Sequence, residues 1–140
     1  MRVGDSPSTL EAAYTLRAPI PAGTWGLIGD GIVLGTGVTN VTVLFEARWR
    51  RAGALDDRSD VVLWSVQNTF VRDANPDRAF RAVPFQTQVS GQAAAASAGD
   101  SLVLRFTALR GDSGAVFVPN GDGATTYGRI PRLDLPAAAP

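Results

Sequence analysis

Two tryptophans with polar neighbours are the side chains best suited to binding a ligand. Trp49 and Trp64 lie on two stretches that alternate apolar and polar residues, so both rings are expected on one sheet. Aromatic rings stack on sugar faces, and amide and guanidinium groups bond to hydroxyls. The sequence therefore predicts a carbohydrate site made of Trp49, Trp64, Arg48, Arg50, Gln67 and Asn68. The alternative places both tryptophans in the core, because they share a face with Val and Phe.

A second candidate site has oxygen ligands at the spacing that begins an EF-hand calcium loop: Asp73, Asn75 and Asp77. The match ends there, because Arg78 stands where the loop needs Gly and Pro84 where it needs Glu. A structural calcium ion in another geometry would draw on carboxylates of an earlier loop, namely Asp56, Asp57 and Asp60. The alternative is a turn rich in Asp and Asn that binds no metal.

The strongest catalytic motif lies at 110–114, Arg-Gly-Asp-Ser-Gly. Gly-Asp-Ser-Gly resembles the nucleophile loop of chymotrypsin-type proteases, but those enzymes need a histidine, and the chain has neither His nor Cys. Glu11 and Glu46 are the only glutamates, which gives little support for glycosidase chemistry. We therefore expect no enzymatic activity and no cofactor other than the calcium ion considered above.

The composition of the chain argues against a nucleic-acid partner and against a membrane span. The chain has 140 residues, a formal net charge of zero and thirteen basic residues, all Arg. Because no cationic surplus is present, we expect no nucleic-acid partner. No apolar run reaches the roughly 18 residues that a membrane span requires, so we expect none.

The elements that must position these side chains are strands. Val41–Arg50 and Val61–Val71 alternate with period two, as does Ser101–Leu109. Thr24–Leu34 carries Gly29, Asp30 and Gly31, which predicts a hairpin turn, with a bulge as the alternative. With 15 Gly and 9 Pro, the chain is typical of an all-β protein: an antiparallel β-sandwich of about eight strands, jelly-roll-like, or alternatively immunoglobulin-like. We expect a single domain over 1–140, with an extended arm at 1–9 and an extended tail at 131–140.

Apolar residues also interrupt the outward rows of these strands, at Leu44, Val61, Leu63 and Val103. In antiparallel sheets that face water on one side, apolar and polar residues usually alternate along each strand. Apolar residues on the second face therefore indicate that another part of the protein, or another molecule, packs over it. A loop of the same chain is one cover, and a second subunit is the other. The sequence favours a homo-oligomer, or a subunit bound to other structural subunits, that decorates an assembly such as a virion. A carbohydrate- or surface-binding module of a secreted protein is the alternative, and a virion or extracellular surface is the favoured location.

Overall fold

The computed structural model describes residues 9–34, 39–72, 83–111, 115–117 and 132–137, and in these ranges every regular element is a strand. The strands are β1 (Thr9–Thr15), β2 (Gly23–Leu34), β3 (Thr39–Arg50), β4 (Val61–Arg72), β5 (Val83–Gly91), β6 (Ser101–Gly111), β7 (Ala115–Phe117) and β8 (Arg132–Asp134). The prediction of an all-β chain is confirmed. No helix within these ranges is long and apolar enough to cross a membrane.

The strands form two antiparallel sheets. The larger sheet has the order β1-β6-β3-β4, and the smaller has the order β5-β2-β7, with β8 also paired to β2. Strands β2 and β5 pack over β3 and β4, so the two sheets face each other as the layers of a sandwich. The two Trp-bearing stretches, expected on one sheet, are β3 and β4, and they pair with each other antiparallel.

Period-two alternation explains the central strand. Along β3, Val41, Val43, Phe45 and Ala47 are buried between the sheets, and the residues between them lie on the outer face. Inner-face residues of β4 and β6 lie directly opposite them, as Val66 and Phe106 do on either side of Phe45. Burial of this row drives the two sheets together.

Aromatic rings join the two layers. The Phe45 ring on β3 stacks on Phe85 of β5 with 5.0 Å between centroids, and Phe70 of β4 meets Phe85 edge-on at 5.2 Å. Trp25 of β2 and Trp64 of β4 meet edge-on at 5.9 Å. Each of these pairs links one sheet to the other, and aromatic pairs contribute about 0.5–1.5 kcal/mol beyond the area they bury.

The hairpin expected around Gly29 is wrong, because β2 is one continuous strand. Residues 23–31 pair with β5 without a register shift, with Gly29 opposite Phe85 and Gly31 opposite Val83, and residues 32–34 continue the strand by pairing with β7. Gly29 is buried beside the large Phe85 side chain, which fills the sheet interface at that point. Gly29 therefore continues the strand and does not turn the chain.

A bulge explains why Val61–Trp64 is apolar on both faces. The register of β3 and β4 shifts where Ala47 pairs with Trp64 and Arg48 pairs with Val62, which leaves Leu63 without a partner on β3. Leu63 and Trp64 are both buried in the core. One extra residue thus allows consecutive side chains to enter the same interior.

Several predictions fall on residues outside the described ranges. They include residues 1–8 of the arm predicted at 1–9, the candidate calcium ligands Asp73, Asn75 and Asp77, and the motif residues 112–114. Thr9, the last residue of that predicted arm, begins β1. Of the predicted tail at 131–140, Arg132–Asp134 form β8, and Leu133 packs against the core.

Candidate functional site

Charged side chains cover the outer face of the larger sheet. The members come from three strands and from the loop between β3 and β4; they are Glu11, Glu46, Arg48, Arg50, Asp57, Asp60 and Arg105. We call this set the outer charge network. It contains three guanidinium groups and four carboxylates, so opposite charges are nearly balanced.

Asp60 is the centre of the network. Arg50 donates through Nε to Asp60 Oδ1 and through Nη2 to Asp60 Oδ2, both at 2.8 Å, and Arg48 Nε donates to Oδ2 at 3.2 Å. The Asp60 side chain is 0% exposed. Hydrogen bonding to Asp60 raises the pKa of Arg50 above its ordinary value. Because both oxygens of Asp60 accept hydrogen bonds from Arg50, the contact holds the end of the loop against β3.

Arg105 joins the edge strand to the same loop. Its guanidinium donates to Glu11 on β1 and, at 2.7 Å, to Asp57 Oδ2 in the loop. The hydrogen bond from Arg105 lowers the pKa of Asp57. Glu11 also lies 3.5 Å from Arg50 Nη1, so β1 is linked by charge to both β6 and β3.

The network covers an apolar residue on the outer face. Val103 points outward from β6, opposite Arg48 on β3 and Ala13 on β1, yet it is 0% exposed. The loop 51–60 folds back over this face through Asp57 and Asp60. At Val103, the cover is therefore supplied by the chain itself.

Asp100 organises the end of the sandwich. Its carboxylate accepts hydrogen bonds from Trp49 Nε1, the Ala52 amide and the Ser97 amide, each at 2.9 Å. Its own carbonyl accepts from the Leu16 amide at 2.7 Å. The bond from the Ser97 amide, followed by those from Ala52 and Trp49, lowers the pKa of Asp100. One side chain thus links β3, the loop after it and the turn before β6.

The six residues of the predicted carbohydrate site lie on different surfaces. Trp64 is in the core, and Trp49 is half-buried with the Arg51 guanidinium 5.3 Å from its ring centroid. Arg48 and Arg50 lie on the outer face and contact Asp60. The register puts Gln67 opposite Leu44 on the outer face and Asn68 opposite Val43 on the inner face.

Metal-binding groups are also dispersed. Among the described residues, no three His, Cys, Asp or Glu side chains are grouped closely enough to hold a metal ion. The loop carboxylates that a calcium site would use each contact an arginine: Asp56 contacts Arg58, Asp57 contacts Arg105, and Asp60 contacts Arg48 and Arg50.

None of the four residues predicted to form an interface is widely exposed. Leu63 is in the core, Val61 packs against it, Val103 lies under the charge network, and Leu44 is half-buried. The structure therefore accounts for three of them by packing within the chain.

Among the described residues, large exposed apolar side chains occur on the edge strand β1, and others lie singly at Leu55, Val71, Leu109 and Leu135. Leu10, Ala12 and Tyr14 lie on the inner face of the larger sheet, opposite Phe106, Leu104 and Leu102 of β6. The smaller sheet packs over β3 and β4, and Leu10 and Tyr14 remain 55% and 56% exposed. We call Leu10, Ala12 and Tyr14 the β1 strip.

Sequence reasoning missed the roles of Asp60, Asp100 and the β1 strip. Period-two alternation in Leu10–Thr15 marks the strip, but the pattern does not show which strand lies at an edge. The Gly99-Asp100 pair is a turn signal in the sequence, and it could have indicated that the Asp100 carboxylate accepts hydrogen bonds from nearby amides. In the structure, Gly99 has a positive φ of 96°.

No protein-family model matches the chain, and neither the curated proteins nor the solved structures contain a match to it.

Proposed function

We propose that the chain is a non-enzymatic structural subunit that oligomerises or decorates a larger assembly such as a virion. The β1 strip carries this proposal. Leu10 and Tyr14 lie on a face that, elsewhere in the same sheet, is buried against a second layer. An apolar row that continues beyond the covering layer is typical of a surface that meets another molecule.

The arrangement of charge supports the same role. The polar side chains of the outer face are directed at one another, as in the contacts of Asp60 with Arg48 and Arg50. Charges paired in this way stabilise the subunit and leave little free charge for a charged ligand. The β1 strip, in contrast, places two exposed large apolar side chains on the same face of one strand.

A jelly-roll-like sandwich is the finer architecture that we infer. The chain passes from one sheet to the other between β1 and β2, β2 and β3, β4 and β5, β5 and β6, and β6 and β7. Repeated crossing between two antiparallel layers is the feature that supports it. Jelly rolls build many capsids and surface proteins, and this analogy supports a location on a virion or extracellular surface.

Sedimentation velocity over a range of concentrations tests the proposal. We expect a species of at least twice the 14.7 kDa mass of one chain, and we expect Leu10→Ser combined with Tyr14→Ser to shift the population to monomer. Leu55→Ser is the matched control, because Leu55 is fully exposed on the loop between β3 and β4, away from the strip. A monomer at every concentration would contradict self-association.

Carbohydrate binding is the second candidate, and Trp49 is the observation that favours it. Its ring is half-buried beside Arg51, so an aromatic surface and a guanidinium group lie together. Binding on a glycan array that Trp49→Phe preserves and Trp49→Ala abolishes, with the fold intact, would select this role.

A further inference from the structure

One edge of β1 pairs with β6, and its other edge has no strand partner among the described residues. Among the described residues, β1 pairs only with β6, over seven consecutive residue pairs and without a register shift. Natural edge strands are usually blocked by Lys, Pro, a bulge or an inward-pointing charge. Thr9–Thr15 has none of these, because its one charged residue, Glu11, points to the outer face and contacts Arg105.

We propose that two copies associate through antiparallel β1–β1 pairing about a two-fold axis at Ala12, which joins their larger sheets into one. This inference rests on the proposed self-association and specifies its geometry. A two-fold axis perpendicular to the sheet keeps inner faces together, so opposite residues must belong to the same face. The axis must then pass through a pair of identical residues, one from each copy, and not between two neighbouring residues. The three registers near the middle of β1 have their axis at Glu11, Ala12 or Ala13.

Charge and packing select among these registers. An axis at Glu11 would place two glutamates directly opposite each other, which is unfavourable. An axis at Ala13 would place Leu10 opposite Leu16 of the second copy, and Leu16 lies beyond β1, held by backbone bonds to Gly99 and Asp100. Only the axis at Ala12 keeps all pairing within the strand.

The Ala12 register is also self-complementary. It places Leu10 opposite Tyr14 of the second copy, twice, with the two Ala12 residues between them. An aromatic ring opposite a branched aliphatic side chain is a favourable cross-strand pair. On the outer face, Glu11 lies opposite Ala13, so no like charges meet. The exposed strip of one subunit thereby becomes half of a continuous apolar row.

Single-cysteine cross-linking tests this geometry directly, because the chain has no cysteine. In the proposed register, the β-carbons at position 12 of the two copies are about 5 Å apart, and a short bismaleimide should link Ala12→Cys efficiently. Thr15→Cys is the matched control on the same strand. Its two copies would be separated by six residues along the strands, about 20 Å, and should not be linked.

A charge placed on the axis gives an independent readout. Ala12→Lys should raise the dissociation constant of the dimer roughly tenfold or more, because two ammonium groups would meet on the inner face. Ala13→Lys should leave it within about twofold, because that position faces Glu11 of the second copy. Circular dichroism and the unfolding midpoint confirm that both variants keep the fold.

The outcomes separate the two proposals. A wild-type chain that stays monomeric overturns self-association and the pairing together. A wild-type oligomer that is neither cross-linked at position 12 nor weakened by Ala12→Lys overturns β1 pairing alone. Efficient cross-linking of Thr15→Cys would show a different register and would also overturn the axis at Ala12.

Discussion

Gly91→Ala is expected to destabilise the sandwich through a steric clash in the core. Gly91 ends β5 and approaches Trp25 on its own sheet and Trp64 on the other. A β-carbon at this position would lie 2.8 Å from Trp25 Cδ1 and 3.0 Å from Trp64 Cδ1. Non-bonded carbons are in ordinary contact at about 3.5–4.0 Å, so the methyl group overlaps both rings by roughly 0.5 Å or more.

The cost follows from the rings having little room to move. Both are buried, and they contact each other edge-on at a centroid distance of 5.9 Å. An extra methyl group in a packed core typically costs about 1–3 kcal/mol. Replacing glycine by alanine also stabilises the folded state by about 0.4–1 kcal/mol, because alanine lowers the conformational entropy of the unfolded chain. Subtracting the midpoints of these two ranges gives a net loss in the free energy of unfolding of about 1.3 kcal/mol, which lowers the melting temperature by a few degrees.

Urea unfolding monitored by tryptophan fluorescence measures this loss. Gly26→Ala is the matched control, because Gly26 lies in β2 and an added β-carbon would approach no closer than 3.4 Å, to Asp134 Oδ2. We expect the control to gain about 0.4–1 kcal/mol, because alanine restricts the unfolded chain there as well and meets no clash. If Gly91→Ala is as stable as the wild type, or if both variants lose the same amount, the steric argument is refuted.

The charged residues give two further predictions. Asp60→Asn should lower the free energy of unfolding by about 3 kcal/mol, measured in urea, because Arg48 and Arg50 lose a buried partner. Asp56→Asn, at an exposed carboxylate of the same loop, should cost less than about 0.5 kcal/mol, and equal losses would contradict this role for Asp60. Asp100, whose pKa is lowered from 3.8, stabilises the fold above about pH 4, and this contribution is lost as the pH falls through the folded pKa. Asp100→Asn should therefore reduce stability at neutral pH and flatten its acid dependence in unfolding midpoints from pH 6 to 2, and an unchanged slope would contradict the assignment.

The alternation of side chains predicted the strands but not their irregularities. The row of β3 is readable because buried and half-buried residues alternate from Val43 to Arg48. On β6 the alternation of residue types predicted a strand, but Leu102, Val103 and Leu104 are all buried. Leu63 breaks that period at a bulge, which made the same stretch look like an interface. Gly29 looked like a turn because local sequence does not reveal Phe85 on a neighbouring strand.

The charged contacts were less predictable, because they join residues far apart in the chain. Glu11 and Arg105 are 94 residues apart, and their contact depends on β1 lying beside β6. Strand order has no signature in period two, so neither this pair nor the exposure of Leu10 and Tyr14 follows from the sequence. The short separation of Arg50 and Asp60, across a ten-residue loop, is the contact most open to prediction.

The placement of β1 beside β6 also constrains how the chain is made. Thr9 and Thr107 share a hydrogen bond across 98 residues. At translation rates of about 5–20 residues per second, β1 leaves the ribosome roughly 5–20 s before the strand it pairs with. During that interval β3 and β4 can form their hairpin, while β1 has no docking position. The larger sheet is therefore completed only after β6 has been synthesised and β1 has joined it.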